Sequence, residues 1–196
     1  VKQLKRDMVT EISATLAFSA IQNNDKIGVI FFSDKIEKFI PPKKGRKHIL
    51  YIIRELIDFK PESTRTNIQC AIEYLTNVQK KRCTAFMLSD FIDDHDFQNA
   101  LTVANRKHDV VALQVYDRRM EELPDVGLLK LRDAETGHEQ WVDTSSRAVR
   151  NAHHAWWMQR QEKLNGIFTH SNVDSVSVRT DQDYVKALLN LFAKRN

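Results

Sequence analysis

The chain has 196 residues, 42% of them hydrophobic and 29% charged, a balance that predicts one globular domain with a sizeable core. No apolar run approaches the roughly 18 residues of a membrane span, and the opening VKQLKRDMVTEI lacks a signal peptide's apolar core. The expectation is therefore a cytoplasmic protein without membrane insertion. A formal net charge of +4, from 30 basic against 26 acidic residues, describes solvated faces and gives no footprint for nucleic acid.

Lys2–Asn23 carries Leu4, Met8, Ile12, Leu16 and Ala20 at steps of four, which predicts one apolar helical stripe, ended by Asn23-Asn24-Asp25. Ile27–Phe32 predicts a buried strand. Ser33-Asp34-Lys35 is a turn into Ile36–Ile40, whose Lys35 and Lys38 suit an edge, and Pro41-Pro42 is expected to end it. Ile49, Ile52, Ile53 and Leu56 mark a second helix. After the polar loop Lys60–Thr66, a third carries Ile68, Ala71, Ile72 and Leu75. Ala85–Leu88 is a short apolar run closed by Ser89-Asp90, the signature of a strand buried on both faces. A fourth helix with Phe97, Ala100, Leu101 and Ala104 leads to the strand Val110–Val115.

Strands alternating with helices predict an α/β, doubly wound fold, with a mostly parallel sheet and helices on both faces. A β-hairpin insertion is expected near 128–142, where Leu128–Arg132 and Glu139–Val142 flank a turn at Glu135-Thr136-Gly137. Arg147–Phe168 is a long helix with Ala152, Trp156, Leu164 and Phe168 inward. Val176–Val178 is the last strand. Thr180–Asp183 resembles a capping box opening a helix whose inner face is Val185, Leu188 and Phe192.

Ligands of open α/β sheets gather at the carboxyl ends of strands, which makes Asp90 the first candidate site residue. Asp94 and Asp96 are better placed to cap the next helix, and Asp93 reads as a plain loop acid. Thr66 with Gln69 forms T-x-x-Q, a capping box, and its hydroxyl sits where it can also meet a cation. The basic stretch Lys43–His48 lacks interleaved aromatics and reads as a solvated helix entrance. His153 and His154, adjacent on one helix, are expected to face different ways, and His95 reads as a surface residue. Trp156, Trp157 and Met158 read as packing. Cys70 and Cys83 lack CxxC spacing and are expected as reduced, packed thiols. The glycines are too scattered for a dinucleotide or phosphate loop, and there is no GxSxG or HExxH. Nothing in the motifs supports catalysis, so the chain is expected not to be an enzyme.

The ordered set NDKIGVIFFSDKIEKFIPPKKGRKHI, a loop with Thr66, FMLSDFID, KHDVVALQVYD, DTSSR and RTDQDYVKALLNLF resembles the von Willebrand factor A-like fold. More narrowly, it resembles the bacterial family called domain of unknown function fifty-eight, found alongside MoxR-type AAA+ ATPases. The resemblance covers nearly the whole chain. It implies a metal-ion-dependent adhesion site in which Thr66 and Asp90 match the family's later-loop threonine and aspartate. The D-x-S-x-S element of that pattern is not found in residues 1–196. The resemblance therefore implies a single von Willebrand A-like domain over 1–196 that lacks its first strand and the D-x-S-x-S segment. It implies Mg or Mn in the complete protein, with weak or absent binding by this chain. The function it implies is a non-enzymatic protein-interaction module, partnered by an AAA+ ATPase. The alternative is a metal-dependent hydrolase using the Asp90/Asp93/Asp94 cluster. Such chemistry needs several ligands converging on ions about 3.5–4 Å apart, and these acids come from one loop.

Overall fold

A computed structural model describes residues 4–133 and 136–195. Helix α1 (Lys5–Gln22) buries Met8, Ile12 and Ala17. Its expected start at Lys2 lies outside the described residues, and Leu4 precedes it as an exposed N-cap. The chain reverses through Asn24 in the left-handed region, with φ 55°, which asparagine tolerates.

Strand β1 (Ile27–Phe32) pairs antiparallel with β2 (Ile36–Lys43). Pro41-Pro42 does not end β2, as the sequence suggested. The register steps from Ile27↔Lys43 to Val29↔Ile40, so the prolines sit in a bulge opposite Gly28, where a missing N–H breaks no ladder bond. Helix α2 (Arg46–Asp58) buries Ile49 and Ile52, and α3 (Ile68–Val78) buries Ile68 and Ile72.

Next come β3 (Thr84–Ser89), α4 (Gln98–Lys107) and β4 (Asp109–Tyr116), then a single-turn helix α5 (Arg118–Glu121) without a sequence signal. The hairpin forms as expected from β5 (Leu128–Arg132) and β6 (Glu139–Asp143). Its expected turn includes Glu135, which lies outside the described residues. Helix α6 (Arg147–His170), β7 (Asp174–Arg179) and α7 (Tyr184–Ala193) complete the chain.

Strands β3, β4 and β7 form a parallel sheet in that order. Alternation along β4 puts Val110 and Ala112 into a core with α3, α4 and α6, and Val111, Leu113 and Val115 into another with α1 and α7. The fold is thus mixed α/β, with helices on both faces of a three-stranded parallel sheet and two small antiparallel sheets beside it. A single doubly wound sheet is not formed, because β1 and β3 are not hydrogen-bonded to one another. Consequently β3, expected to be buried on both faces, is only half-buried along the run 85–89, whereas β4 is buried from Val110 to Val115.

Two inward faces differ from expectation. On α6 the buried residues are Trp157, Leu164 and Phe168, while Trp156 is 45% exposed. On α7 they are Leu188 and Leu191, while Val185 and Phe192 face outward. Thr180 does not cap α7 either; Asp183 does, accepting from Val185 N.

Candidate functional site

β4 and β7 end together at Tyr116 and Arg179, two residues past the level of Ser89 in β3, and the candidate residues lie around that rim. Past Ser89 the chain turns sharply. Phe91 takes φ 55°, a conformation that costs an L-residue about 1–2 kcal/mol. The turn is held by Phe91 N donating to Ser89 Oγ at 3.0 Å and Ile92 N donating to Asp90 Oδ1 at 3.2 Å. Burial of the Phe91 ring offsets the strain: it is 3% exposed and meets Phe168 edge-on, with centroids 5.1 Å apart. Phe91 drops into the core while Asp90 stays at the rim.

Asp90 is fixed from beneath and paired from the side. Its carbonyl accepts Gln114 Nε2 at 3.2 Å, and Gln114 Oε1 accepts Ser177 Oγ at 2.7 Å, a polar chain across all three strands. Gln114 is buried, so both ends of its amide need partners. Asp90 Oδ2 accepts Lys5 Nζ at 2.7 Å, from the first turn of α1. Lys5 also reaches Met120 Sδ of α5 at 3.8 Å.

Asp93 is not a plain loop acid. Its side chain is fully buried. Oδ2 accepts Ile68 N at 2.7 Å, at the start of α3, and Oδ1 accepts His95 N at 2.8 Å and His95 Nδ1 at 2.6 Å. A carboxylate at a helix N-terminus satisfies an orphan donor and meets the positive end of the dipole. Arg160 of α6 adds a bond to Asp93 O at 3.2 Å. His95 is therefore tied to Asp93, although its ring is more than half exposed. Neither Asp94 nor Asp96 is the N-cap of α4, which is Phe97 without a side-chain cap bond; Asp94 is exposed, and Asp96, one residue before the cap, accepts Gln98 N at 3.0 Å.

Thr66 does not cap α3. Asn67 does, with Oδ1 accepting Cys70 N at 2.9 Å, and Gln69 turns instead to Glu73. Asn67 N also donates to Ser33 O at 2.9 Å, so half-buried Thr66 lies beside the turn after β1. Glu37 stitches that turn to the Thr66 loop: it accepts Ser33 Oγ at 2.7 Å and the N–H groups of Glu62 and Ser63. The Ser33 hydroxyl holds the Glu37 carboxyl below its usual range, and the Ser63 side chain does the same for Asp34. Three loops are thus bound into one rim: 33–37, 60–67 and 90–96.

This rim does not by itself fit a magnesium-like ion, which takes six oxygens in near-octahedral order. Asp90 Oδ2 carries Lys5, and both Asp93 oxygens carry N–H donors. Among the described residues no group of three or more His, Cys, Asp or Glu is placed to hold a metal. The acids of the hydrolase alternative are likewise divided: Asp90 pairs, Asp93 caps and Asp94 is in solvent.

Lys43, Lys44, Arg46 and Lys47 are exposed, and His48 Nε2 meets Ile27 O at 2.9 Å. His153 and His154 do not diverge as expected: both reach carbonyls of α5, Met120 O at 3.0 Å and Glu121 O at 3.3 Å. Trp157 packs on Tyr116, while Trp156 and Met158 are exposed. Cys70 and Cys83 are free thiols, and burial pushes both above their ordinary pKa. No helix is long and apolar enough to cross a membrane among the described residues.

Residues 1–163 match the family described as protein of unknown function DUF58. An uncharacterized protein of Mycobacterium tuberculosis (strain H37Rv) is 27% identical over 97% of this chain and 61% of its own length. An uncharacterized protein of Mycobacterium avium is 28% identical over 80% of this chain and 93% of its own. The chain thus spans 61% of the length of the first of these relatives. Among solved structures, the conserved hypothetical protein BatB from Bacteroides thetaiotaomicron aligns over 94% of this chain and 87% of its own, at 17% identity and TM-score 0.56. An aerotolerance-related membrane protein from Bacteroides fragilis aligns over 94% and 88%, at 17% identity and TM-score 0.58. At such identity the likeness is one of fold.

Proposed function

The chain belongs to the DUF58 family, and from that premise we propose that it is a non-enzymatic protein-interaction module whose docking rim is centred on Asp90. The observation that carries this reading is the rigid convergence of three loops at the strands' carboxyl ends. Asp90 is held there by Ile92 N and Gln114 but keeps a quarter of its side chain exposed. A strained, over-determined turn that presents one charge suits recognition. The division of Asp90, Asp93 and Asp94 among separate tasks speaks against hydrolysis.

The finer reading is a von Willebrand A-like domain, with a further strand of the whole protein between β1 and β3. In that reading the cation, Mg or Mn, belongs to the complete protein, and Thr66 and Asp90 are this chain's contribution to it. The partner class is an AAA+ ATPase of the MoxR type. The test is a pull-down of a co-encoded AAA+ ATPase by the whole protein, with magnesium or with EDTA. Asp90→Ala is expected to abolish capture and Asp94→Ala, in the exposed part of the same loop, to preserve it. Capture that ignores both EDTA and Asp90→Ala overturns the proposal.

A further inference from the structure

We propose that the end of the sheet opposite the rim is a binding face for an anionic lipid surface, built from the basic turns Lys43–Lys47 and Lys80–Arg82. The proposal is independent of the docking reading of Asp90. In the sequence these are separate charge runs, and the fold brings them to one end. Asn67 N donating to Ser33 O and Ile68 N donating to Asp93 Oδ2 set the carboxyl ends of β1 and β3 together at the rim. Their amino ends, at Ile27 and Thr84, therefore lie at the far end. Lys43 is the register partner of Ile27, and His48 Nε2 meets Ile27 O at 2.9 Å, which fixes the start of α2 there. Lys80, Lys81 and Arg82 fill the turn between α3 and β3. Lys107 Nζ donates to Thr76 O, which brings the basic last turn of α4 alongside.

Two features separate this face from an ordinary solvated one. The first is missing balance. The cations of both turns are exposed, and none enters an ion pair among the described residues. Asp109 and Asp174, the acids at the amino ends of β4 and β7, are both held by Arg195. The second is the entrance of α2. Its N-cap is Gly45, which makes no side-chain bond, and its first turn has no acid. Arg46 and Lys47 thus stand at the positive end of the helix dipole, where cations are disfavoured. Lys80–Arg82 follow the end of α3, where cations are favoured, but the fold itself gains nothing from the charge at Lys43–Lys47.

The make-up of the face selects among anions. The turns 23–27, 43–47 and 79–84 hold no aromatic residue, so they offer no stacking platform for single-stranded nucleic acid. Lysines outnumber arginines in both basic turns. A lysine is a flexible, hydrated point charge, whereas fork-like recognition of single phosphates suits arginine. Dispersed lysines on short turns match the diffuse negative potential of a bilayer, to which each basic residue adds its own increment of attraction. The rim, at the other end, would then face away from the lipid and stay open to a partner.

The test is co-sedimentation of the whole protein with vesicles of phosphatidylcholine containing about one-third phosphatidylglycerol, and with vesicles of phosphatidylcholine alone. Wild type is expected to bind the anionic vesicles, to ignore the neutral ones and to be released by high salt. Lys43→Gln/Lys44→Gln and Lys80→Gln/Lys81→Gln are each expected to weaken binding about 25-fold, or about fivefold per charge. Arg118→Gln/Arg119→Gln, which removes the same charge at the rim end, is expected to change binding by less than about twofold. Unchanged circular dichroism melting shows that each variant is folded. Equal binding to both vesicles, or binding to neither, overturns the proposal. So does an equal loss in the Arg118/Arg119 variant, which would make net charge the cause. Retention of a double-stranded oligonucleotide that depends on Lys43 and Lys44, with vesicles ignored, assigns the face to nucleic acid and overturns the lipid reading.

Discussion

The backbone N–H of Ile68 donates to Asp93 Oδ2 at 2.7 Å, joining the first turn of α3 to the loop that follows β3. Because the Asp93 side chain is fully buried and accepts three donors in all, Ile68 N, His95 N and His95 Nδ1, its loss leaves the part-buried Ile68 N–H without its acceptor. Asp93→Ala is expected to destabilise by about 1–3 kcal/mol, and Asp90→Ala, at the rim, by only about 0.5 kcal/mol. Urea denaturation of both variants decides it. Equal losses would mean that Asp93 is not the tie between the loops.

In the sequence Asp90 and Asp93 are two acids of one polar cluster, and the structural tie made by Asp93 carries no mark there. Position at a strand end singles out Asp90, but nothing local shows that Asp93 folds back onto a helix 25 residues earlier. Asn67 was overlooked for a different reason. Thr66 and Gln69 satisfy a capping pattern, and a cap one residue later satisfies it equally well until the backbone is known. Lys5 lies off the apolar stripe of α1, and the sequence carries no sign of its pairing with Asp90, 85 residues on. The one signal available for the polar chain beneath Asp90 is Gln114, a lone amide inside the apolar run 110–115.

Gly28 provides a second test. A Cβ there would lie 2.6 Å from Ile40 O and 2.9 Å from Pro42 N, both backbone atoms of the bulge. Neither can give way without breaking the β1–β2 register. Gly28→Ala is expected to cost about 1–3 kcal/mol, whereas Gly166→Ala, which meets nothing within 4 Å and lies inside α6, is expected to be neutral or stabilising by up to about 1 kcal/mol. Thermal melts of the two variants should move in opposite directions or differ plainly; matched melting points would refute the bulge argument.

His108 links stability to pH. Its ring is fully buried, Nδ1 lies 3.5 Å from Cys83 Sγ, and Nε2 has no hydrogen-bond partner among the described residues. Burial lowers its pKa below the ordinary 6.5, so the unfolded chain takes up a proton before the folded one does. Stability attributable to His108 is full above about pH 6.5 and is lost as pH falls from there towards the depressed folded value. The carboxylates held low by hydrogen bonds, such as Asp34 and Asp143, lose their share only below about pH 4. Chemical denaturation from pH 7.5 to 5 should therefore slope in wild type and flatten in His108→Phe; parallel profiles would exclude His108 as the source.

The helices α2, α3 and α4 were legible because each carries one helical period, and β1 and β4 because each is a short apolar run bounded by turn signals. The inward face of α7 was not, since VKALLNLFA is apolar on several sides and only packing against Met8 and Val178 selects Leu188 and Leu191. The face of α6 was missed because its tryptophans are adjacent, and the sequence does not say that Tyr116 takes Trp157. The broken sheet was invisible to periodicity, because an apolar run reads the same whether or not its neighbour is present.

The last prediction concerns that break. Phe32 of β1 and Met87 of β3 pack against the same core, which holds Ile68 and Ile72 of α3 with Val110 and Ala112 of β4, and α3 also packs on β1 and β2. Yet β1 and β3 do not pair, so each leaves one edge of its backbone outside the described ladders. Unpaired backbone donors and acceptors between covered faces are costly, and an exposed edge of this kind is a template for another strand. In the whole protein a strand is expected to occupy this position and hydrogen-bond to both. Hydrogen exchange on the whole protein should then find the amides of Val29–Phe32 and Ala85–Leu88 protected to the level of Val111–Val115 in β4. Fast exchange on β3 beside slow exchange on β4 would mean that the edge stays open, and protection through direct β1–β3 pairing would equally rule out an inserted strand.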